Sequence, residues 1–270
     1  MHRPLDGMVV VITGASAGIG AALAEGLSAR RARLVLAARR LDRLEELNRR
    51  LGGSHLCLGA DVSRREDCER LVSATFEHFG RIDTLVCNAG YGILRPVHET
   101  TAEQMREIFQ TNVFGTADCV RAAVPHMLGQ QIAARWRGQV VIVSSAVARR
   151  AIPLFGAYSA TKAAQLSLAE AMRVELRPHR VAVTSVHPIG TDTEFGEAAH
   201  ARAGGGRIAR IPVEVRQTAK QVARRIIRAI ESPVPEVWPF APSRWALAAA
   251  TLAPKWVDRM LAKRIVVNGP

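Results

Sequence analysis

The stretch Tyr158-Ser-Ala-Thr-Lys162 puts one of the chain's two tyrosines four residues before one of its four lysines. The alanine-rich run 157–176, free of proline until Pro178, predicts a helix. Residues four apart lie on one helix face. An ammonium beside a phenol stabilises the phenolate and draws the phenol pKa down from about 10. The pair therefore predicts a side chain able to give and take a proton near neutral pH. A solvated lysine beside an incidental tyrosine is the plain alternative while these residues stand alone.

A second chemical signal lies near the start of the chain. Residues 13–20 read Thr-Gly-Ala-Ser-Ala-Gly-Ile-Gly, directly after an apolar run. Gly14, Gly18 and Gly20 permit a tight turn and the close approach of a pyrophosphate to the N-terminus of the next helix. The spacing G-x-x-x-G-x-G is not G-x-G-x-x-G, and it lacks the Gly-Lys-Ser/Thr ending of a nucleoside-triphosphate loop. The next apolar run ends Ala37-Ala38-Arg39-Arg40. A carboxylate at that point would bind a ribose 2′-hydroxyl, whereas arginine suits a 2′-phosphate. Arg39, assisted by Arg40, thus predicts NADP(H) in preference to NAD(H).

These groups need a scaffold. Short apolar runs at 8–12, 34–37, 55–58, 84–87, 140–143 and 181–186 read as buried strands. Between them come helical periodicities, such as Ile19, Leu23 and Leu27, then Leu41, Leu44, Leu47 and Leu51. Ser63 with Glu66 and Thr100 with Glu103 have the form of capping boxes, and 215–230 is again helical. No hairpin signal joins two strands. The expected fold is α/β: Rossmann-like and doubly wound, with a mainly parallel sheet flanked by helices on both faces. A single dinucleotide-binding and catalytic domain is expected over 1–241. The rhythm breaks at 190–213, which holds Gly204-Gly-Gly206, and a substrate lid is expected there, mobile over 192–212. Residues 242–270 read as a helical tail of two apolar-faced pieces broken by Pro254. Packing on its own domain or a second subunit is expected before contact with a membrane surface.

Composition narrows the classes. The net charge is +13, but the arginines come in pairs along the whole chain, with no zinc-finger spacing, aromatic RNP motif or isolated basic arm. No nucleic-acid partner is expected. Cys57, Cys68, Cys87 and Cys119 form no C-x-x-C pair, which predicts neither a metal site nor a disulfide framework. The first residues carry no signal-peptide pattern, and no run reaches the ~18 apolar residues of a membrane span. A cytoplasmic location is expected.

Taken together and in order, these motifs resemble the short-chain dehydrogenase/reductase family from about residue 8 to 240. The resemblance rests on the glycine turn, Asp61-Val62, Cys87-Asn-Ala-Gly90, Thr-Asn112-Val-Phe-Gly, Ser145 thirteen positions before Tyr158, Tyr158-x-x-x-Lys162, and Pro188-Ile-Gly-Thr191-Asp-Thr193. It implies hydride transfer between a nicotinamide and a carbonyl or secondary alcohol carbon, with a lipophilic ketone or aldehyde as substrate. Tyr158 would be the general acid or base, with its pKa lowered by Lys162. Ser145 would bind the substrate oxygen, and Asn112 would hold a water that links Lys162 to solvent. The cofactor would contact Gly14, Ser16, Ala17, Gly18, Ile19, Gly20, Arg39, Arg40, Asp61, Val62, Asn88, Ala89, Gly90, Tyr158, Lys162, Pro188, Thr191 and Thr193. A homodimer or homotetramer is implied. Cys87, Ile189 and Thr191 depart from the family pattern, the latter two at the nicotinamide end. An acyl-carrier-protein ketoreductase, favoured by the basic charge, and a non-catalytic NADP(H)-binding sensor are the alternatives.

Overall fold

The computed structural model describes residues 2–133, 135–201 and 216–264. Strand β1 (Val9–Thr13) leads into α1 (Gly18–Ser28), β2 (Arg33–Ala38) into α2 (Leu41–Arg50) and β3 (Leu56–Gly59) into α3 (Arg65–Phe79). After β4 (Thr84–Cys87) come α4 (Ala102–Phe109) and α5 (Gly115–Gly129), joined by a π-helical turn over Gln110–Phe114. Strand β5 (Gly138–Val143) precedes α6 (Gly156–Glu175), and β6 (Val181–Val186) precedes β7 (Thr191–Asp192) and α7 (Phe195–Ala201). Strand β8 (Gln217–Thr218) opens α8 (Ala219–Glu231), and β9 (Glu236–Val237) is followed by α9 (Ala241–Leu252) and α10 (Pro254–Arg264).

Seven strands form one sheet in the order β3-β2-β1-β4-β5-β6-β9, and every neighbouring pair is parallel. Alternate residues of β1 feed two cores. Val10 and Ile12 meet Leu23 and Leu27 of α1 and Ile226 and Ile230 of α8. Val11 faces the other way, toward Leu71 of α3, Val120 of α5 and Ala169 of α6. Burial on both faces explains why β1 reads as an unbroken apolar run rather than an alternating one. The chain order reverses at β1 and β4, and the carboxyl ends of those strands open the crevice where such sheets bind ligands.

Three local expectations are corrected. Ser63 does not cap α3; its hydroxyl donates to Asp61 Oδ1 at 2.8 Å, and the helix starts after Arg64 with no side-chain cap. The capping box of α4 is one residue further on, Thr101 with Gln104. Helix α8 starts at Ala219 rather than 215, behind a Thr218–Gln221 box. Strand β9 was not expected, because two residues among prolines and tryptophans carry no periodicity.

Arg3, near the chain start, is 4% exposed. Its guanidinium donates to Gln139 Oε1 (2.8 Å), the Asp83 carbonyl (2.9 Å) and the Ile230 carbonyl (3.3 Å). It thereby ties together the amino ends of β4 and β5 and the end of α8. Asp83 Oδ2 accepts the amide of Val9 at 2.9 Å and so brings β1 into the same knot.

The tail touches its own domain through α10. Val257 is buried, and Asp258 pairs with Arg150. Trp245, Leu252 and Trp256 are exposed, and α9 buries no residue. No helix among the described residues is long and apolar enough to cross a membrane. Of the expected lid, 202–213 lies outside the described residues, as do 265–270 of the tail.

Candidate active site

A cleft of about 590 Å³ runs across the carboxyl ends of the strands, from the glycine turn and Arg39 to Ser145, Tyr158 and Lys162. At one end the turn after β1 has no room for side chains. Gly14 has φ +66°, and a Cβ there would lie 2.8 Å from the Ala89 Cα. A Cβ on Gly20 would lie 2.3 Å from the Gly14 carbonyl oxygen. Helix α1 begins behind Ala17 with no side-chain cap, so its first N–H groups lack a side-chain acceptor. This is a cradle for an anion, and a dinucleotide pyrophosphate fits it. Asn88 braces the cradle from β4, its amide donating to the Thr13 and Gly14 carbonyls at 3.0 and 3.1 Å. Thr193 packs against Gly18, within 3.1 Å of where a Cβ would sit.

Beyond the turn, Arg39 and Arg40 are both exposed and both line the cleft. Arg40 donates to Ser16 Oγ and to Glu194 Oε2, each at 3.2 Å, and Arg43 holds the other Glu194 oxygen at 2.7 Å. Arg39 makes no hydrogen bond or ion pair among the described residues. Arg40, not Arg39, is therefore the guanidinium anchored to the glycine turn. Asp61 also faces the cleft, its Oδ1 occupied by the amide and hydroxyl of Ser63.

At the other end, α6 presents Tyr158 and Lys162. The Tyr158 ring lies between Phe155 (5.9 Å between centroids) and Phe195 (5.1 Å). The ring is half-buried, yet its hydroxyl end is enclosed by protein. Burial pushes the phenol well above its ordinary pKa, and the hydrogen bond with Ser145 offsets this only in part. This corrects the expected lowering by Lys162. The Lys162 Nζ stands 5.5 Å from the ring centroid, and burial alone pulls its own pKa down to about 7. Desolvation disfavours both charged forms, and in the free protein it outweighs their mutual attraction. Ser145, at the end of β5, donates to the Pro188 carbonyl at 3.4 Å. Ser144 bonds the Lys162 carbonyl and stays with the scaffold.

Asn112 sits in the π-helical turn, fully buried. Its side chain bridges the Tyr91 backbone (3.0 and 2.9 Å) and Thr161 Oγ1 (3.0 Å). Its carbonyl accepts from Thr116 Oγ1 at 2.8 Å and Gln165 Nε2 at 2.7 Å. A carbonyl has two lone pairs. Both are taken, so the water expected on Asn112 has no acceptor there. Gln165 escaped the sequence reading, although a glutamine on the apolar face of α6, three residues after Lys162, was the available signal. Glu194 and the aromatic wall Phe195 were likewise not singled out as site residues, whereas Phe155 falls in the apolar segment 147–156 expected to meet the substrate.

The wall behind Ser145 is built by the unforeseen strand. His187 Nδ1 donates to the Ser145 carbonyl (3.3 Å), its Nε2 accepts from Ser185 Oγ (3.1 Å), and the ring stacks on Trp238 at 4.4 Å. Trp238 donates to Glu236, which pairs with Arg149 at 2.6 Å.

A parallel doubly wound sheet, a glycine cradle at its switch point and a Ser-Tyr-Lys group across the same cleft define a dinucleotide-dependent oxidoreductase. The short chain dehydrogenase family model matches residues 8–203, and the chain belongs to that family, whose members act between alcohol and carbonyl with a nicotinamide cofactor. It is 31% identical over 97% of its length to an uncharacterized oxidoreductase YxnA of Bacillus subtilis (strain 168), covering 73% of that protein. It is 41% identical over 64% of its length to 11-beta-hydroxysteroid dehydrogenase 1A of Arabidopsis thaliana, and the match spans about half (49%) of that relative. In fold it superposes on a short chain dehydrogenase/reductase from Burkholderia phymatum solved with NAD, at TM-score 0.83 and 26% identity, covering 94% of this chain and 96% of the other.

Proposed function

We propose that the chain moves hydride between NADP(H) and the carbon of a lipophilic ketone, aldehyde or secondary alcohol. The observation that carries this is the convergence of Ser145, Tyr158 and Lys162 at one end of a cleft whose other end holds the glycine cradle and two arginines. The nicotinamide would supply or take up the hydride. Tyr158 would give its phenolic proton to the carbonyl oxygen, or take one from the alcohol. Ser145 would donate to that oxygen as charge builds on it, and Lys162 would stabilise the phenolate that remains. Asn112 would fix the helix break beside them. Gly14, Ser16, Ala17, Gly18, Ile19 and Gly20 would hold the pyrophosphate. Asp61 and Val62 would meet the adenine, and Asn88, Ala89, Gly90, Pro188, Thr191 and Thr193 the nicotinamide half.

Ile152, Phe155, Ile189 and Phe195 line the substrate end, which favours an apolar molecule. The name of the Arabidopsis relative makes hydroxysteroids the first compounds to try. A screen of steroids, lipophilic ketones, aldehydes and acyl thioesters against NADPH and NADH tests the reading. Turnover of none of them by the folded protein would favour the sensor alternative.

NADPH is expected to bind more tightly than NADH, chiefly through Arg40, which would exchange Glu194 for the 2′-phosphate. One charge-assisted bond contributes ~1.5–3 kcal/mol, so Arg40→Ala should weaken NADPH about ten- to a hundredfold and leave NADH almost unchanged. Equal dissociation constants for the two cofactors in the parent would remove the preference.

The tail's exposed Trp245, Leu252 and Trp256 are assigned to a subunit contact. A chain ending at Ala241 is expected to show a smaller subunit count in light scattering. An unchanged count with lost binding to anionic vesicles would assign that face to a membrane surface.

A further inference from the structure

Among the described residues Lys162 Nζ has two acceptors, and one of them belongs to no motif. Its Nζ donates to the Val143 carbonyl at 2.9 Å and to Gln165 Oε1 at 2.8 Å. The amide nitrogen of Gln165 then donates to the Asn112 carbonyl and, at 2.8 Å, to Thr116 Oγ1. Gln165 is wholly buried, and both ends of its amide are bonded. The amide is therefore locked in one sense, its oxygen toward the ammonium and its nitrogen toward the π-helical turn.

We propose that Gln165 is a positioning residue for the reaction. Its amide oxygen sets the place and protonation of the Lys162 amine, and its amide nitrogen closes the Asn112 carbonyl to water. The proposal rests on the reading of Lys162 as the lysine that supports Tyr158. A water between Lys162 and Asn112 could pass a proton on by accepting one and giving another. An amide in the same place offers Lys162 an acceptor but hands nothing on. When Tyr158 gives its proton to a carbonyl oxygen, the phenolate is therefore reprotonated from the cleft, not through the α4–α5 segment.

The surroundings leave Gln165 in control of the amine. Around Lys162, β5 contributes the Val143 carbonyl and the loop after β4 contributes Gly90, whose Cβ position is 3.7 Å from Nζ. The π-helical turn contributes Asn112, α5 contributes Thr116, and α6 itself contributes Tyr158. Tyr158 is the titratable group in this set, and no carboxylate or second cation belongs to it.

The scarcity of lysine makes the test direct. With four lysines in the chain, ¹³C-methylated or ¹³C-labelled lysine resonances can be followed one by one through a pH titration of the cofactor-free protein, with Lys162→Met identifying the site. Gln165→Glu places a carboxylate on the amine and should raise the Lys162 midpoint by about 1–3 pH units. Gln165→Leu removes an acceptor at nearly constant volume and should lower it by about one unit. In turnover, the limb of the kcat profile assigned to the Tyr158–Lys162 pair should move in the same direction, with the KM of the carbonyl substrate nearly constant. A Lys162 midpoint within about 0.3 unit of the parent in both folded variants overturns the proposal, whatever their stability. The titration needs no turnover. If it shifts as expected while no carbonyl is reduced, the proposed activity fails and Gln165 stands only as the group that holds the Lys162 amine. If carbonyls are reduced and the midpoint does not move, the positioning role fails alone.

Discussion

Replacing Tyr158 with phenylalanine is expected to lower turnover by about 10²–10⁴-fold while NADPH binds as before. The ring keeps its neighbours Phe155 and Phe195 in the variant. The hydroxyl alone is lost, and with it the bond to Ser145. Burial raises the pKa of that hydroxyl, so the free protein holds Tyr158 as a phenol, the form that can donate a proton to a carbonyl. The opposite direction requires a phenolate and should therefore gain rate as pH rises. Single-turnover rates and cofactor titration on the purified variant separate chemistry from docking. Turnover within about tenfold of the parent would take the proton-transfer role away from Tyr158.

Arg3→Met is expected to cost about 3–5 kcal/mol of stability, because three buried neutral acceptors lose a charged donor and each buried group left unpaired costs ~1–3 kcal/mol. The substitution deprives the Gln139 side chain and the Asp83 and Ile230 carbonyls of a donor. Methionine fills most of the volume but offers no hydrogen. The melting temperature should fall by roughly 6–20 °C, at ~2–4 °C per kcal/mol for a chain of this size class. These contacts lie at the amino ends of the strands, whereas the cleft lies at the carboxyl ends. The NADPH dissociation constant of the folded variant should thus match the parent. A fall of under about 2 °C would mean that the knot around Arg3 is dispensable.

The sequence made the sheet legible because buried parallel strands are short uniform apolar runs, and β1, β2, β4, β5 and β6 all fit that description within two residues at each end. Tyr158 and Lys162 were legible because helical spacing alone brings them to one face. What stayed hidden depends on contacts far apart in sequence. Strand β9 has two residues and exists through its pairing with Ser185 and Val186. Arg3 looked like any terminal arginine, since its partners lie 80 or more residues away. The upward shift of the Tyr158 phenol comes from its burial by residues of other elements, which spacing along α6 does not encode. Ser63 looked like a cap until Asp61, two residues back, proved the better acceptor.

Strand β9 also bears on how the protein avoids sticking to itself. Strand β6 is six buried, uncharged residues, three of them valine. A flat strand of that kind, left at the rim of a sheet, is a template for pairing with other chains. Residues 234–237 cover this rim: the Thr184 hydroxyl bonds the Val234 carbonyl at 2.7 Å, the Ser185 amide bonds the Pro235 carbonyl at 3.1 Å, and Glu236 and Val237 pair with the strand. Pro235 has no N–H to offer outward, and Glu236 adds a charge. A chain stopped at Glu231 would retain Ser145, Tyr158 and Lys162 but bare that rim. It would fail first by aggregating through β6, before any loss of chemistry could be measured.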